Sequence, residues 1–493
     1  MAQVVHGIAP GASLLVATLG QSPAETAQNI ADLVAAGANV ITDDIFWSNE
    51  PNYQKGIISQ EIDIAKSKGV SYFASSGNNN AVQAVSTSSP AVGYPIGRHQ
   101  SNTYRPTACP SWVVPPEGAT SYDCMDFSPD GSDVPYGLVQ GTASLGASYA
   151  YLRSFQHILG WSEPVNGVKT RLQLQYYSIY NSGGTEEVCL GGASAASSTL
   201  TPARLASWTE ASSCQPVTGS GYDAAMVVVR DTSKAGYGTP QVQITPFGPS
   251  QGARLSWRQF HKTQGNNVLQ GTQIGHDGDG SAWSVAAAPF FDATVVEDYS
   301  SLGGNEQWFY GVSGSSAAAP LPERQTPDGP FLMGVDGIVT SFFGSYVYIA
   351  SAGGYNWAFF GTSASAPTAA AVAALGLEKN PALAPEEVIQ IMQDTANKNV
   401  SNPYAVSGAP AERVTGAGLI DAQAFLAAIP GTLSSFTSVP VPVVSGSVTV
   451  GSTLSVLGAS LRPSQGCPLK SDSFLLMRYE SPRAKSLTTW MFL

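Results

Sequence analysis

Charge is scarce in this chain. Only 12% of its residues are Asp, Glu, Lys or Arg, about half the ~25% usual in globular proteins. Basic residues are the fewest: 23 Lys and Arg against 35 Asp and Glu leave a net charge of −12. A surface of that sign repels phosphate, which argues against a nucleic-acid partner. Long apolar runs are missing too, since none approaches the ~20 residues a membrane span needs. The longest candidate, residues 366–377, is largely alanine. Met1-Ala2-Gln3-Val4 opens the chain with neither the basic nor the apolar region of a secretory signal. Cysteine is sparse, with five in all, no C-x-x-C and no histidine nearby in sequence, which argues against a cysteine-based zinc site.

What is present points to a folded protein. Hydrophobic residues at 43%, aromatics at 10% and 51 glycines exclude a disordered acidic chain. The length, 493 residues, corresponds to about three domains at ~150 residues each. Cys109 with Cys124, and Cys189 with Cys214, are spaced to close two local disulfides, which would suit an oxidising compartment. Four buried free thiols are the alternative, and Cys467 is left over.

Residues 1–80 alternate strand and helix. Residues 12–19 form a short apolar strand. Ser22-Pro23-Ala24-Glu25 then supplies an N-cap, a first-turn proline and a capping-box glutamate. Ile30, Leu33 and Val34 recur at helical spacing until Gly37. A strand from Val40, a helix over 57–68 and a strand over 70–74 follow. Short apolar strands alternating with helices predict a parallel sheet covered on both faces. Between about 100 and 270, short β-type runs separated by Gly, Ser, Thr and Pro predict an inserted β-sandwich. The α/β character returns at 271, with an Ala-rich helix over 364–377 and another from Pro385 to about 396. The predicted units are therefore 1–100 and 271–430 as one α/β body and 101–270 as the β insertion. Residues 431–466 read as a linker and an incomplete β-domain. Residues 467–493 read as an atypical tail without a strand period.

The sharpest local signal is Gly361-Thr362-Ser363-Ala364-Ser365-Ala366-Pro367 at the entry to the Ala-rich helix. A serine there presents its hydroxyl beside free backbone N–H groups aimed at any anion that develops. A plain helix cap is the alternative for Gly-Thr-Ser alone. The whole string resembles the nucleophile motif of the subtilisin-like serine peptidases, the subtilases. Four further segments resemble that family in the same order. They are Gly7-Ile8-Ala9-Pro10-Gly11-Ala12, Phe73-Ala74-Ser75-Ser76-Gly77-Asn78, the stretch from Ser284 to Gly303, and Gly416-Ala417-Gly418-Leu419-Ile420-Asp421-Ala422. The resemblance covers about 1–80 and 271–430, and a long β insertion is a known elaboration in that family.

The resemblance implies a serine endopeptidase that hydrolyses peptide bonds through an acyl-enzyme, with protein or peptide substrates. Ser363 would be the nucleophile and Asn78 an oxyanion donor. No cofactor would be required; structural calcium and oligomeric state stay open, and the location would be extracellular. The family's Asp-[ST]-Gly and His-Gly-Thr are not found in the sequence. His6-Gly7-Ile8 departs from the histidine motif, and by register His6 belongs at the end of that helix. His99, His157 and His261 read as structural. His276, in Gly275-His276-Asp277-Gly278-Asp279-Gly280, reads as part of a Gly/Asp turn, with acid–base or metal chemistry as the alternative.

The expectation is thus a chain missing the catalytic Asp and His through loss of an N-terminal segment, with an unreactive Ser363. A sedolisin-type acid peptidase is one alternative, although that family carries Asp where Asn78 stands. A catalytically dead surface-binding protein is the other. Asp43 and Asp44 close the strand from Val40, and adjacent strand residues point to opposite faces. They read as satisfied strand-end carboxylates, with a cleft role for one of them as the alternative; in subtilases that strand's end lines the substrate cleft, and here Asp44-Ile45-Phe46-Trp47 replaces the family's Ser-Leu-Gly.

Overall fold

In the computed structural model, the described residues are 1–79, 98–128, 132–145, 148–151, 154–182, 185–195, 199–209, 223–247, 253–255, 271–402, 410–430, 443–445, 455–457 and 473–478. His261 and Cys214 lie outside them.

A parallel sheet organises the α/β body. Its strands are β1 (Ser13–Thr18), β2 (Ala38–Asp43), β3 (Ser71–Ser75), β4 (Trp283–Pro289), β5 (Leu332–Asp336) and β6 (Ser473–Arg478), in the order β1-β6-β2-β3-β4-β5. The helices are α1 (Ala2–Ile8), α2 (Pro23–Ala35), α3 (Ile57–Ser67), α4 (Thr362–Lys379), α5 (Pro385–Thr395) and α6 (Ala422–Ala428). Helix α2 starts where its sequence says it should: the Ser22 side chain accepts the Glu25 N–H, and the Glu25 carboxylate accepts the Gln21 N–H.

Strand alternation sorts the two cores. Ile41, Tyr72 and Ala74 pack with Ile30 and Leu33 of α2 and Ile58 and Ile62 of α3. Val40, Phe73, Val285 and Leu332 face the other way, onto α4, Val388 and Met392 of α5, and Phe425 of α6. Both faces are therefore covered over β2 to β5, which is why those strands read as apolar runs rather than alternating ones, whereas β1 is largely exposed.

Helix α4 lies close because its residues are small. Ala369, Ala370, Ala371 and Ala373 are fully buried, and the Ser365 hydroxyl donates to the Gly334 carbonyl of β5 at 3.0 Å. A Cβ on Gly334 would stand 2.6 Å from Thr368 Oγ1 and 2.7 Å from the Ser365 carbonyl oxygen.

The tail departs from expectation. Residues 473–478 form β6, which pairs in parallel with β1 through Leu14↔Phe474 and with β2 through Ile41↔Leu475. Phe474-Leu475-Leu476-Met477 is a continuous apolar run of the kind buried parallel strands use. It shows no period of two, which is why alternation misses it.

Residues 99–255 hold two antiparallel sheets. In one, Arg171–Ser182 pairs with Thr185–Ala193 and Asp223–Asp231. In the other, Ser154–Trp161 pairs with Ala203–Thr209 and Val242–Pro246. Leu172, Leu174, Met226 and Val228 of the first share a core with Leu159, Trp161, Val242 and Ile244 of the second. Cys109 and Cys124 are disulfide-bonded, and Cys189 is also in a disulfide. Beyond residue 430, Val443–Ser445 and Ser455–Leu457 form a two-stranded antiparallel pair.

The Gly334 contact yields a stability prediction. Gly334→Ala forces α4 away from β5 and lowers stability by about 1–3 kcal/mol, the usual cost of overpacking. Urea unfolding checks it; an unchanged midpoint would show that the helix yields freely.

Candidate active site

Three strand ends meet at the N-terminus of α4. Gly361 precedes the helix with φ +101°, in the region that favours glycine. An added Cβ there would also lie 3.0 Å from Asn78 Nδ2. The Gly361 N–H donates to Asp336 Oδ2, at the end of β5, at 2.7 Å. The same carboxyl oxygen accepts the Tyr299 hydroxyl. Asn78, just past β3, uses Oδ1 to accept both the backbone N–H and the hydroxyl of Thr362, each at 3.0 Å. This is a helix cap supplied from 284 residues away in sequence. With Oδ1 so engaged, the amide nitrogen is the end of Asn78 left to act as a donor.

Ser363 is the second residue of α4 and is partly exposed. Its N–H is among the first-turn donors for which a helix offers no partner. Its side chain and that of Ser75 lie near the carboxyl of Asp44 and favour its ionised form. Asp44 is partly buried. That burial pushes its pKa up to about 6, against the opposing effect of Ser75 and Ser363. Burial likewise raises Asp336 to about 6 and, with Asp336 and Asp298 nearby, Glu297 to about 7.

Asp43 takes the other side of β2, as the alternation requires. Its Oδ2 accepts the Tyr72 hydroxyl and lies 3.3 Å from His276 Nε2. His276 sits in a short 3₁₀ turn, Gly275–Asp277, and its Nδ1 is 2.9 Å from Glu50 Oε2. Burial works against protonation of this imidazole, but the carboxylates of Glu50, Asp43 and Asp277 outweigh it and raise its pKa. The other histidines have other surroundings. His6 lies in the last turn of α1. His99 packs at a tilt against the Phe127 ring, and His157 Nδ1 is hydrogen-bonded with the Tyr176 hydroxyl.

The structure thus brings Ser363 and Asn78 together at one helix end, as their assignment to one site requires. It adds Asp44, for which the sequence makes a cleft role only the alternative to a satisfied strand-end carboxylate, and Asp336. Asp336 carried no local signal, because its partner Gly361 is 25 residues on.

The model of the subtilase family matches residues 348–417, the segment that carries Gly361, Ser363 and most of α4. A serine-peptidase relationship is supported at that level, and the match does not reach Asp44 or Asn78. No curated protein matches the chain. The solved structure of the Clostridium perfringens CspB protease aligns with 82% of this chain and 70% of its own, at 12% identity and a TM-score of 0.39. A likeness that slight says nothing about activity.

The raised carboxyls make stability depend on pH. Asp44 holds its proton more tightly folded than unfolded, where its ordinary value is 3.8. The stability this contributes is full below about 4 and is lost as pH rises through about 6. Asp44→Asn removes that dependence, so its fall in stability between pH 4 and pH 7 should be smaller than in the parent chain. Urea melts at the two pH values test this, and equal falls would refute the assignment.

Proposed function

We propose that the chain carries a serine-peptidase site of the subtilase type. Ser363 is the nucleophile, its own N–H and the Asn78 amide are the oxyanion donors, and Asp44 is the proton acceptor. The observation that carries the reading is that Asn78 caps the N-terminus of α4 where Ser363 stands, with the Asp44 carboxyl, its pKa raised to about 6, beside Ser363. A carboxylate with a pKa near 6 is close in basicity to an imidazole and suits general-base work near neutrality. The resemblance of residues 348–417 to subtilases supports the same chemistry.

In the proposed reaction, Ser363 Oγ bonds to the scissile carbonyl carbon and its proton passes to Asp44. The oxyanion forms against the Ser363 N–H and Asn78 Nδ2, in the positive field of the helix end. Asp44 returns the proton to the leaving amine as the C–N bond breaks, and water then hydrolyses the acyl-enzyme. The family's Asp–His relay has no matching motifs in this sequence, so turnover is expected to be slow. The carboxyl beside Ser363 favours a second reading, a sedolisin-like acid peptidase, whereas Asn78 favours the first. We also propose residues 101–270 as an inserted β-sandwich, 431–466 as the start of a small β-domain, and an exported protein, which its disulfides suit.

A fluorophosphonate probe tests the site directly. Labelling at Ser363 should rise with pH through about 6 and then level off, because ionised Asp44 is the acceptor. Ser363→Ala should abolish it, and Asp44→Asn should slow it on the order of 10²-fold or more. Labelling greatest in acid would favour the sedolisin-like reading. None at any pH would leave a catalytically dead binding protein.

A further inference from the structure

Behind the end of β2, Asp43, His276 and Asp277 each offer one ligating atom, with all three atoms within 4.8 Å of one another. His276 Nε2 is 3.3 Å from Asp43 Oδ2 and 3.4 Å from Asp277 Oδ1. A tetrahedral ion with bonds of about 2.0–2.1 Å sets its ligands about 3.3–3.4 Å apart. The three residues are 0%, 0% and 2% exposed. His276 Nε2, Asp277 Oδ1 and Asp43 Oδ1 have no hydrogen-bond partner. Orphaned polar atoms in a dry interior are costly, and buried charges are paired or coordinate metals.

The opposite edge of the imidazole is fixed. Glu50 Oε2 accepts from His276 Nδ1 at 2.9 Å and from the His276 backbone N–H at 3.0 Å. Glu50 Oε1 accepts the Trp47 N–H at 2.8 Å. A carboxylate on Nδ1 puts the proton there, leaves the Nε2 lone pair free, and orients the ring, as in carboxylate–histidine–metal arrangements. The competing arrangement is a protonated imidazole held between Asp43 and Asp277. Charge-assisted hydrogen bonds run about 2.7–2.9 Å, and neither contact of Nε2 is that short or aligned as a hydrogen bond.

We propose that Asp43, His276 and Asp277 bind one divalent transition-metal ion of the zinc class, with Glu50 holding the imidazole in its ligating tautomer. An imidazole ligand disfavours the hard cations calcium and magnesium, which take oxygen. The absence of thiolates disfavours copper(I). The ion fixes the end of β2, and the next residue, Asp44, is the one that meets Ser363.

The full chain, with Cys467→Ser to remove the fifth cysteine as a competing ligand, is expressed in zinc-supplemented medium. It is purified without chelator and analysed by inductively coupled plasma mass spectrometry. About one zinc per chain is expected, and Ser363→Ala should retain it. His276→Gln and Asp277→Asn should each fall to background. Because those buried changes can also cost folding, the same chain refolded with Co²⁺ should show the visible bands of tetrahedral cobalt, bleached by added zinc. Metal-free protein with no cobalt bands would overturn the site, as would zinc that persists in folded His276→Gln protein.

Discussion

The first turn of α4 is where the structure's strongest demands meet. A helix leaves its first N–H groups without internal partners, and here they point at the carboxyl ends of the parallel strands. Asp336 from β5 takes the Gly361 N–H, and Asn78 from beyond β3 takes that of Thr362. No side chain adjacent in sequence caps this helix; the sheet does. The approach is possible only because Gly361 has a positive φ and no Cβ to strike Asn78. Ser363 therefore occupies a place set by three distant segments rather than by its own neighbours.

Two opposing effects act on the carboxyls at this end of the sheet. The helix end favours negative charge by about 0.3–1 kcal/mol, and up to ~2 when partly buried. Burial disfavours it, and for Asp44 and Asp336 burial is the larger influence, since both pKa values are raised. The result is a pair of carboxyls that change charge near pH 6 rather than near 4. An acceptor that can gain and lose a proton near neutrality is what general-base chemistry needs.

Much of the α/β body was legible because its signals are local. Ser22, Pro23 and Glu25 announce α2 within four residues, and Gly361 to Pro367 announce the entry to α4. The division of Asp43 and Asp44 between opposite faces followed from strand geometry alone. What escaped depends on contacts across the chain. The partners Glu50 and His276 are 226 residues apart, and Asp336 meets Gly361 only because β5 runs beside α4. Residues 473–478 escaped for a different reason: Phe474 to Met477 is an unbroken apolar run, so the period of two that identifies a strand is absent.

That last strand bears on the site as well as the fold. The connection from β1 through α2 to β2 leaves a place one strand wide between them, and β6 occupies it in register with both. Without a strand there, β1 and β2 would each present a row of unpaired backbone groups to one another. Strand β2 ends in Asp43 and Asp44, one turned to His276 and the other to Ser363. A shift of β2 along the sheet by one residue would flip every side chain to the other face, turning Asp43 away from the imidazole and Asp44 away from the serine. The register of β2, held by β6 on one side and β3 on the other, is therefore what assigns each carboxyl its chemistry.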